Sequence, residues 1–228
     1  MMTGMDGFLL IDKPAGMTSH DVVDAVRKIA HTRRVGHAGT LDPFATGLLI
    51  LGLNKATKKL NDLVGLDKEY LATAKLGATS TTDDPEGETT PTPDTPHPTP
   101  EIIEQALDRY RGTYTQTAPA YSAKKVGGKK LYDLARAGKM EGIELPKKDV
   151  TIHELELVSY EWPDCSFRTV CTSGTYIRAL ARDIGETLET GAYLTQLRRT
   201  KIGSYAVDDA VALHDLDEQT LSKNLISL

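Results

Sequence analysis

The sequence predicts a mixed α/β fold. Short apolar segments bounded by turn residues read as strands, segments with apolar residues three and four apart read as helices, and the two kinds alternate along the chain. With 228 residues, roughly 70% of the unfolded surface can be buried, so a sizeable core needs no covalent staples.

In chain order, Gly7 to Asp12 is a short buried strand ended by the turn Lys13-Pro14-Ala15-Gly16. A helix follows. Thr18 to Asp21 has the form of a capping box, Val22, Val23, Val26 and Ile29 make an apolar stripe, and Arg27 and Lys28 come late, where they suit the helix dipole. His31 to Arg34 is the exit, and Arg33 and Arg34 fit either a solvated helix end or the rim of an anion site. Leu48 to Leu51 is a buried strand, Lys55 to Leu63 a short helix, and Tyr70 to Leu76 a strand that alternates in polarity. Thr79 to Pro100 is rich in Thr, Pro and acidic residues, the composition of a surface loop. Helices are expected over Glu101 to Arg111 and Asp133 to Ala137, and strands over Val150 to Tyr160 and Phe167 to Thr172. Ser173 to Arg178 opens a helix through Leu180, Ile184 and Leu188, and Leu194 to Arg199 is a short apolar-basic segment. Arg178 falls in a first helical turn, a poor place for a cation, so a nearby carboxylate is expected.

Cys165 and Cys171 are the only cysteines, which indicates neither a disulfide framework nor a zinc cluster and makes reduced cytoplasm the expected compartment. The amino terminus lacks a signal pattern, and apolar runs such as Leu48 to Leu51 fall far short of the ~20 residues of a membrane helix. A net charge of −5 argues against a uniformly basic nucleic-acid binder. The charge is uneven, however: Tyr110 to Lys148 is rich in lysine and arginine and offers local basic surface to a polyanion. Internal repeats, phosphate-binding glycine loops, dinucleotide fingerprints and nucleophile elbows are absent from the sequence, and the six histidines are dispersed. Nucleotide cofactors and metals are therefore not suggested, and the remaining candidate nucleophile is a carboxylate.

Gly36 to Gly47 places His37 and Asp42 in one glycine-punctuated segment that runs into the Leu48 strand. Pro43 fixes its own backbone and biases Asp42 toward an extended conformation, so a carboxylate is presented rigidly beside the core. On composition alone the same residues would serve as turn punctuation. Ala118 to Tyr132 interleaves tyrosines with lysines, the pattern of a nucleic-acid groove and equally of a lysine-rich solvated loop.

Six blocks in order resemble the TruB-type tRNA pseudouridine synthases: Leu10 to Ser19, Gly36 to Gly47, Asp67 to Tyr70, Tyr121 to Lys124 with Gly128 to Tyr132, Gly174 to Arg178, and Leu197 to Arg199. The resemblance runs from about Gly7 to Gly203. It implies a pseudouridine synthase fold: a mixed, mostly antiparallel central sheet with flanking helices. It implies one catalytic domain over residues 1–228, with an inserted RNA-clamping segment over about 118–148. The implied activity is isomerisation of uridine to pseudouridine at position 55 in the T loop of tRNA, without cofactor or metal. The implied partner is the tRNA T stem-loop, and the implied enzyme a cytoplasmic monomer.

Residue by residue, the resemblance makes Asp42 the nucleophile, attacking the base ring or the sugar, and Arg178 the arginine that pairs with it. Tyr70 stacks on the target base and is a candidate for proton transfer at the ring carbon, while Tyr176 and Leu197 line the uracil pocket. His37 enters the loop in place of the flipped base. Lys13 and Pro14 pack behind the catalytic loop on the substrate-binding side, and Tyr121, Lys124, Lys129 and Lys130 belong to the clamp, where lysines meet phosphates. Ala38 and Ala118 stand where a threonine and a proline are more usual. Family members commonly carry a C-terminal RNA-binding PUA domain; none is expected here, which would reduce contacts to the acceptor stem. The rival readings are a guide-RNA-dependent synthase subunit and a tRNA-folding chaperone that needs no chemistry.

Overall fold

The computed structural model describes residues 5–122 and 124–227; Ala123 and the side chains of Lys125 and Lys130 lie outside the described residues. In chain order the elements are β1 (Gly7–Lys13), α1 (Ser19–Ile29), β2 (Val35–His37), β3 (Thr46–Leu53), α2 (Leu60–Val64) and β4 (Lys68–Leu76). Then follow β5 (Ala78–Ser80), β6 (Thr89–Pro91), α3 (Pro100–Asp108), β7 (Gly112–Thr117), β8 (Lys125–Val126), β9 (Lys129–Lys130) and α4 (Leu131–Arg136). The last are β10 (Lys147–Glu161), β11 (Asp164–Cys171), α5 (Ile177–Thr187), β12 (Ala192–Ile202), β13 (Tyr205–Ala206), β14 (Val211–Ala212), α6 (Glu218–Asn224) and β15 (Leu225–Ile226). The mixed α/β class and its mostly antiparallel pairing match the sequence expectation. Among the described residues no helix is long and apolar enough to cross a membrane.

The chain forms two compact units, Met1–Leu71 with Gln196–Leu228, and Ala72–Thr195. In the first, β1 and β3 pair antiparallel from Gly7↔Leu53 to Lys13↔Gly47, and β3 pairs parallel with β12 at Thr46↔Arg198 and Gly47↔Arg199. This sheet is covered on both faces. Leu9, Ile11, Leu49 and Leu51 pack against Val22, Val23 and Val26 of α1 and Leu221 of α6, whereas Phe8, Leu10, Leu48 and Ile50 pack against Ala56, Leu60 and Leu63. Alternate residues along a strand face opposite sides, so a strand buried on both sides reads as an unbroken apolar run. The capping box of α1 is present: the Thr18 hydroxyl accepts from Asp21 N, and the Asp21 carboxylate accepts from Thr18 N at 2.8 Å. The helix expected over Lys55 to Leu63 instead splits into a 3-10 turn, Asn54–Lys59, and α2, after the chain turns through Asn54 at φ 52°.

In the second unit β10 and β11 form a long antiparallel hairpin, and β7 pairs with the other edge of β10. Helix α3 packs on β10 and α5, burying Ile103, Ala106 and Leu107. The Thr79 to Pro100 loop contains a two-stranded hairpin, β5 with β6, so it is not irregular throughout. Its reversal is stabilised by the Asp84 side chain, which accepts from Glu86 N at 3.0 Å, and by Ser80 Oγ donating to Asp84 O at 2.6 Å. The Gly127-Gly128 pair, at φ 58° and 82°, makes the tight turn of the β8–β9 hairpin, where both central residues need positive φ.

Candidate active site

Asp42 lies half-buried on the segment between β2 and β3. That segment runs outside the strand ladder, so its backbone groups need other partners. Three buried polar side chains supply them. Ser19 Oγ accepts from Leu41 N at 2.8 Å and donates to Leu41 O at 3.1 Å. The Lys13 ammonium, wholly buried, donates to Pro43 O at 3.2 Å and to the carbonyls of Pro14 and Met17 at 2.8 and 2.7 Å. Arg199 donates to Leu48 O and Gly39 O at 2.8 and 3.1 Å. Backbone bonds from Gly16 N to Pro43 O and from Ala45 N to Asp42 O complete the frame. Gly47 is required at the end of the segment: at φ 99°, a Cβ there would lie 2.3 Å from Arg199 O. The Asp42 carboxylate is therefore carried on a braced, partly accessible loop.

His37 ends β2 and is half-buried. It borders a groove of about 780 Å³ that is also lined by Arg33, Arg34, Asn54, Lys55 and Lys58. Burial pushes its imidazole below the usual value, and the charges of Arg199 and His20 push the same way, with the Gly39 backbone opposing. Its Nδ1 is buried without a hydrogen-bond partner among the described residues. Arg34 reaches the groove because β2 and β3 pair at Val35↔Leu53, which sets Asn54 N against Arg34 O at 2.8 Å. The cations of residues 33–34 and 55–58, twenty residues apart in sequence, thus share one depression. Tyr70 on β4 and Leu197 on β12 belong to the same unit and are buried, at 8% and 6% exposure. Pro14 is exposed beside the Lys13 side chain.

In the second unit, Arg178 is 4% exposed in the first turn of α5. A carboxylate other than the one assigned to it by the resemblance lies beside it: Asp84 Oδ2 is 3.1 Å from Arg178 Nη1, with both side chains about 5% exposed. Nη1 also donates to Thr82 O at 2.7 Å, and Nη2 to Tyr121 O at 3.0 Å. Asp84 was not singled out in the sequence; its only signal there is the Asp83-Asp84-Pro85 turn inside an acidic loop. One turn further along α5, Arg182 pairs with Asp83 at 3.0 Å and with Asp183 at 2.8 Å. Tyr176, the N-cap of α5, is held by Gln116, whose amide accepts from Tyr176 N at 2.8 Å and donates to Tyr176 O at 3.1 Å.

Tyr121 packs edge-on against Tyr132, ring centroids 6.2 Å apart. Lys124 is half-buried and Lys129 is exposed on β9; of Lys130 only the backbone, paired with Lys125, is described. Among the described residues no group of three or more His, Cys, Asp or Glu is placed to hold a metal ion. Chemically, the first unit offers a half-buried carboxylate on a braced loop, a buried tyrosine and leucine, and a cationic groove; the second offers, separately, a buried guanidinium bonded to a carboxylate.

The chain matches two family models: the TruB family pseudouridylate synthase N-terminal domain over residues 27–177, and the tRNA pseudouridylate synthase B C-terminal domain over residues 178–225. It is 46% identical over 217 residues to tRNA pseudouridine synthase B of Mycobacterium bovis, covering 93% of this chain and 72% of that protein. It is 48% identical over 224 residues to the same-named protein of Mycobacterium sp. (strain KMS), covering 96% and 75%. Among solved structures it resembles a chain of an H/ACA ribonucleoprotein bound to a substrate RNA containing 2'-deoxyuridine, with TM-score 0.73 and 26% identity, over 98% of this chain and 59% of that one. A chain of a Cbf5-Nop10-Gar1 complex gives TM-score 0.72 and 29% identity, over 93% and 54%. The chain thus spans about three quarters of those two curated relatives and somewhat over half of the solved chains. Two family models that together span most of the sequence, and relatives nearly half identical across it, place this chain in the TruB family of pseudouridylate synthases.

Proposed function

We propose that this chain isomerises uridine to pseudouridine at position 55 in the T loop of tRNA, acting as a cytoplasmic monomer without guide RNA. The observation that carries this reading is the half-buried Asp42 on a loop braced by Lys13, Ser19 and Arg199. A carboxylate attacks carbon and remains a competent leaving group, which the reaction needs because the adduct must collapse again. The glycosidic C–N bond breaks, the detached base turns, a C–C bond forms, and the ring carbon loses its proton. Asp42 forms the covalent adduct on ring or sugar. By the resemblance Arg178 is the arginine that favours the ionised form of this aspartate, and within its own unit Asp84 orients Arg178. Tyr70 stacks on the flipped base and serves proton transfer, Leu197 of the same unit lines the base, and Tyr176 is assigned to the uracil by the resemblance alone.

His37 takes the place of the flipped base, an exchange that offsets an unstacking cost of a few kcal/mol. Its depressed proton affinity makes it a neutral ring at neutral pH, suited to stacking. The groove beside it supports the anion-rim reading of Arg33 and Arg34, joined by Lys55 and Lys58, and suits an RNA backbone. Tyr121, Lys124, Lys129 and Lys130 close over the RNA in this reading, while Lys13 and Pro14 support the loop from behind. The likeness to H/ACA protein chains raises a guide-dependent alternative, but the far higher identity to proteins named tRNA pseudouridine synthase B favours direct tRNA recognition. Incubating the protein alone with unmodified tRNA and mapping pseudouridine tests this. Product at position 55, abolished in Asp42→Ala with tRNA binding retained, is expected; no product from wild type, or undiminished product from the variant, refutes the reading.

A further inference from the structure

We propose, resting on the reading of Asp42 as nucleophile and His37 as the residue inserted into RNA, that Arg199 is a positioning residue whose buried guanidinium clasps the two limbs of the 39–48 segment and so fixes Asp42 relative to His37. Arg199 sits on β12 with 1% exposure, among the largest fully buried side chains of the protein. Its Nε donates to Leu48 O at 2.8 Å, its Nη2 to Gly39 O at 3.1 Å, and its Nη1 reaches Thr40 O at 3.5 Å. Gly39 and Thr40 lie on the limb that leads to Asp42, whereas Leu48 lies on β3, beyond it. One planar fork therefore ties together the beginning and the end of the segment, and Asp42 stands between the tied points.

The backbone of the same residue completes the clasp, pairing in parallel with Gly47 so closely that no Cβ fits there. Among the described residues no carboxylate pairs with Arg199; all three acceptors are carbonyls. Burying a guanidinium without a counter-ion is costly, and a site that only needed filling would be better served by leucine or methionine. What the guanidinium adds is a rigid set of donors aimed in several directions at once, which a lysine cannot reproduce. Ser19 and Lys13 hold the crest of the same segment through Leu41 and Pro43, but through a rotatable hydroxyl and a rotatable ammonium. The charge reaches His37 as well, lowering its proton affinity together with burial and His20. The other cations around that ring are Arg33, Arg34, Lys55 and Lys58 of the groove.

The test compares Arg199→Met, Arg199→Lys and wild type by amide exchange over residues 39–48, by titration of the His37 ring in NMR, by T-arm RNA affinity, and by single-turnover pseudouridine formation. Arg199→Met is expected to speed exchange in the segment, raise the His37 proton affinity, and lower the single-turnover rate about a hundredfold, the penalty of roughly 1 Å of misplacement. RNA affinity should stay within about threefold, because the cationic groove is untouched. Arg199→Lys should restore the His37 titration, since the charge returns, but not the rate, since the fork does not. Turnover within about threefold of wild type in Arg199→Met, or slowed turnover with unchanged exchange over 39–48, overturns the proposal. Should the methionine variant not fold, exchange and rate in Arg199→Lys decide by the same criteria. If the wild type itself makes no pseudouridine, the functional reading fails separately, and the exchange and His37 measurements still report on the clasp.

Discussion

Replacing Asp84 with asparagine removes the charge of the buried partner of Arg178 while keeping its shape. The magnitude follows from the geometry. At the observed 3.1 Å, two unit charges attract by about 5 kcal/mol if the effective dielectric constant is about 20. Part of this is recovered, because an asparagine amide is easier to bury than a carboxylate, although an amide whose oxygen still accepts from Glu86 N turns its NH2 toward Arg178 Nη1. Arg178 also keeps the carbonyls of Thr82 and Tyr121. Breaking one side of a buried pair typically costs about 3–5 kcal/mol, and the retained bonds place Asp84→Asn near 3. For a chain of this size each kcal/mol moves the melting temperature by about 2–4 °C, so a drop of about 6–12 °C is expected in thermal denaturation followed by circular dichroism. Asp84→Ala, which also gives up the bond to Glu86 N, should fall further. A melting temperature within about 2 °C of wild type would mean that Arg178 does not depend on Asp84, and the role assigned to Asp84 would be lost.

Ser19→Ala removes both bonds to Leu41 and should destabilise the protein by about 1–3 kcal/mol, measured by urea denaturation, because a buried N–H is left without an acceptor. The His37 imidazole is held below its usual value in the folded protein, so the stability it lends is full above the unfolded value of 6.5 and is lost as pH falls through the lower folded value. Melting temperatures measured between neutral pH and about pH 5 should therefore fall less steeply in His37→Gln than in wild type; parallel curves would contradict a buried neutral ring. RNA affinity should fall steeply with added salt, and Lys58→Ala or Lys129→Ala should each reduce the slope of log K against log salt by about 1 where the lysine meets a phosphate.

Where the sequence was legible, a local rule had one outcome. The capping box at Thr18 specifies a helix start from four adjacent residues, and it forms. The apolar runs at Gly7 to Asp12 and Leu48 to Leu51 specify strands buried on both faces, and the two pair with each other. The helix dipole made Arg178 anomalous enough to demand a carboxylate, but the dipole carries no information about which one, and Asp84 lies 94 positions away in a loop whose acidic residues look interchangeable. The hairpin β5–β6 was hidden for a related reason: its strands are threonine-rich and short, so no alternation of polarity marks them. Arg33 and Arg34 gained neighbours only through the β2–β3 pairing, a long-range event that composition cannot report.

The hardest residues to read were the buried cations, and the reason bears on what a motif match means. Lys13 and Arg199 both fall in blocks that resemble the family, and a basic residue in an RNA-modifying protein invites assignment to phosphate. Yet Lys13 is wholly buried and Arg199 nearly so, and each donates to backbone carbonyls around Asp42. An irregular loop that must present a carboxylate in one orientation cannot satisfy its own backbone, because the ladder that would do so is what the loop has left. Donors must then come from outside, and long cationic side chains on β1 and β12 reach the loop from two sides. The cost is a buried charge, offset in part by the several carbonyl dipoles that each cation meets. For Lys13 and Arg199, burial with carbonyl partners on the segment around Asp42 marks residues of a family motif that supply the donors the loop's own backbone lacks.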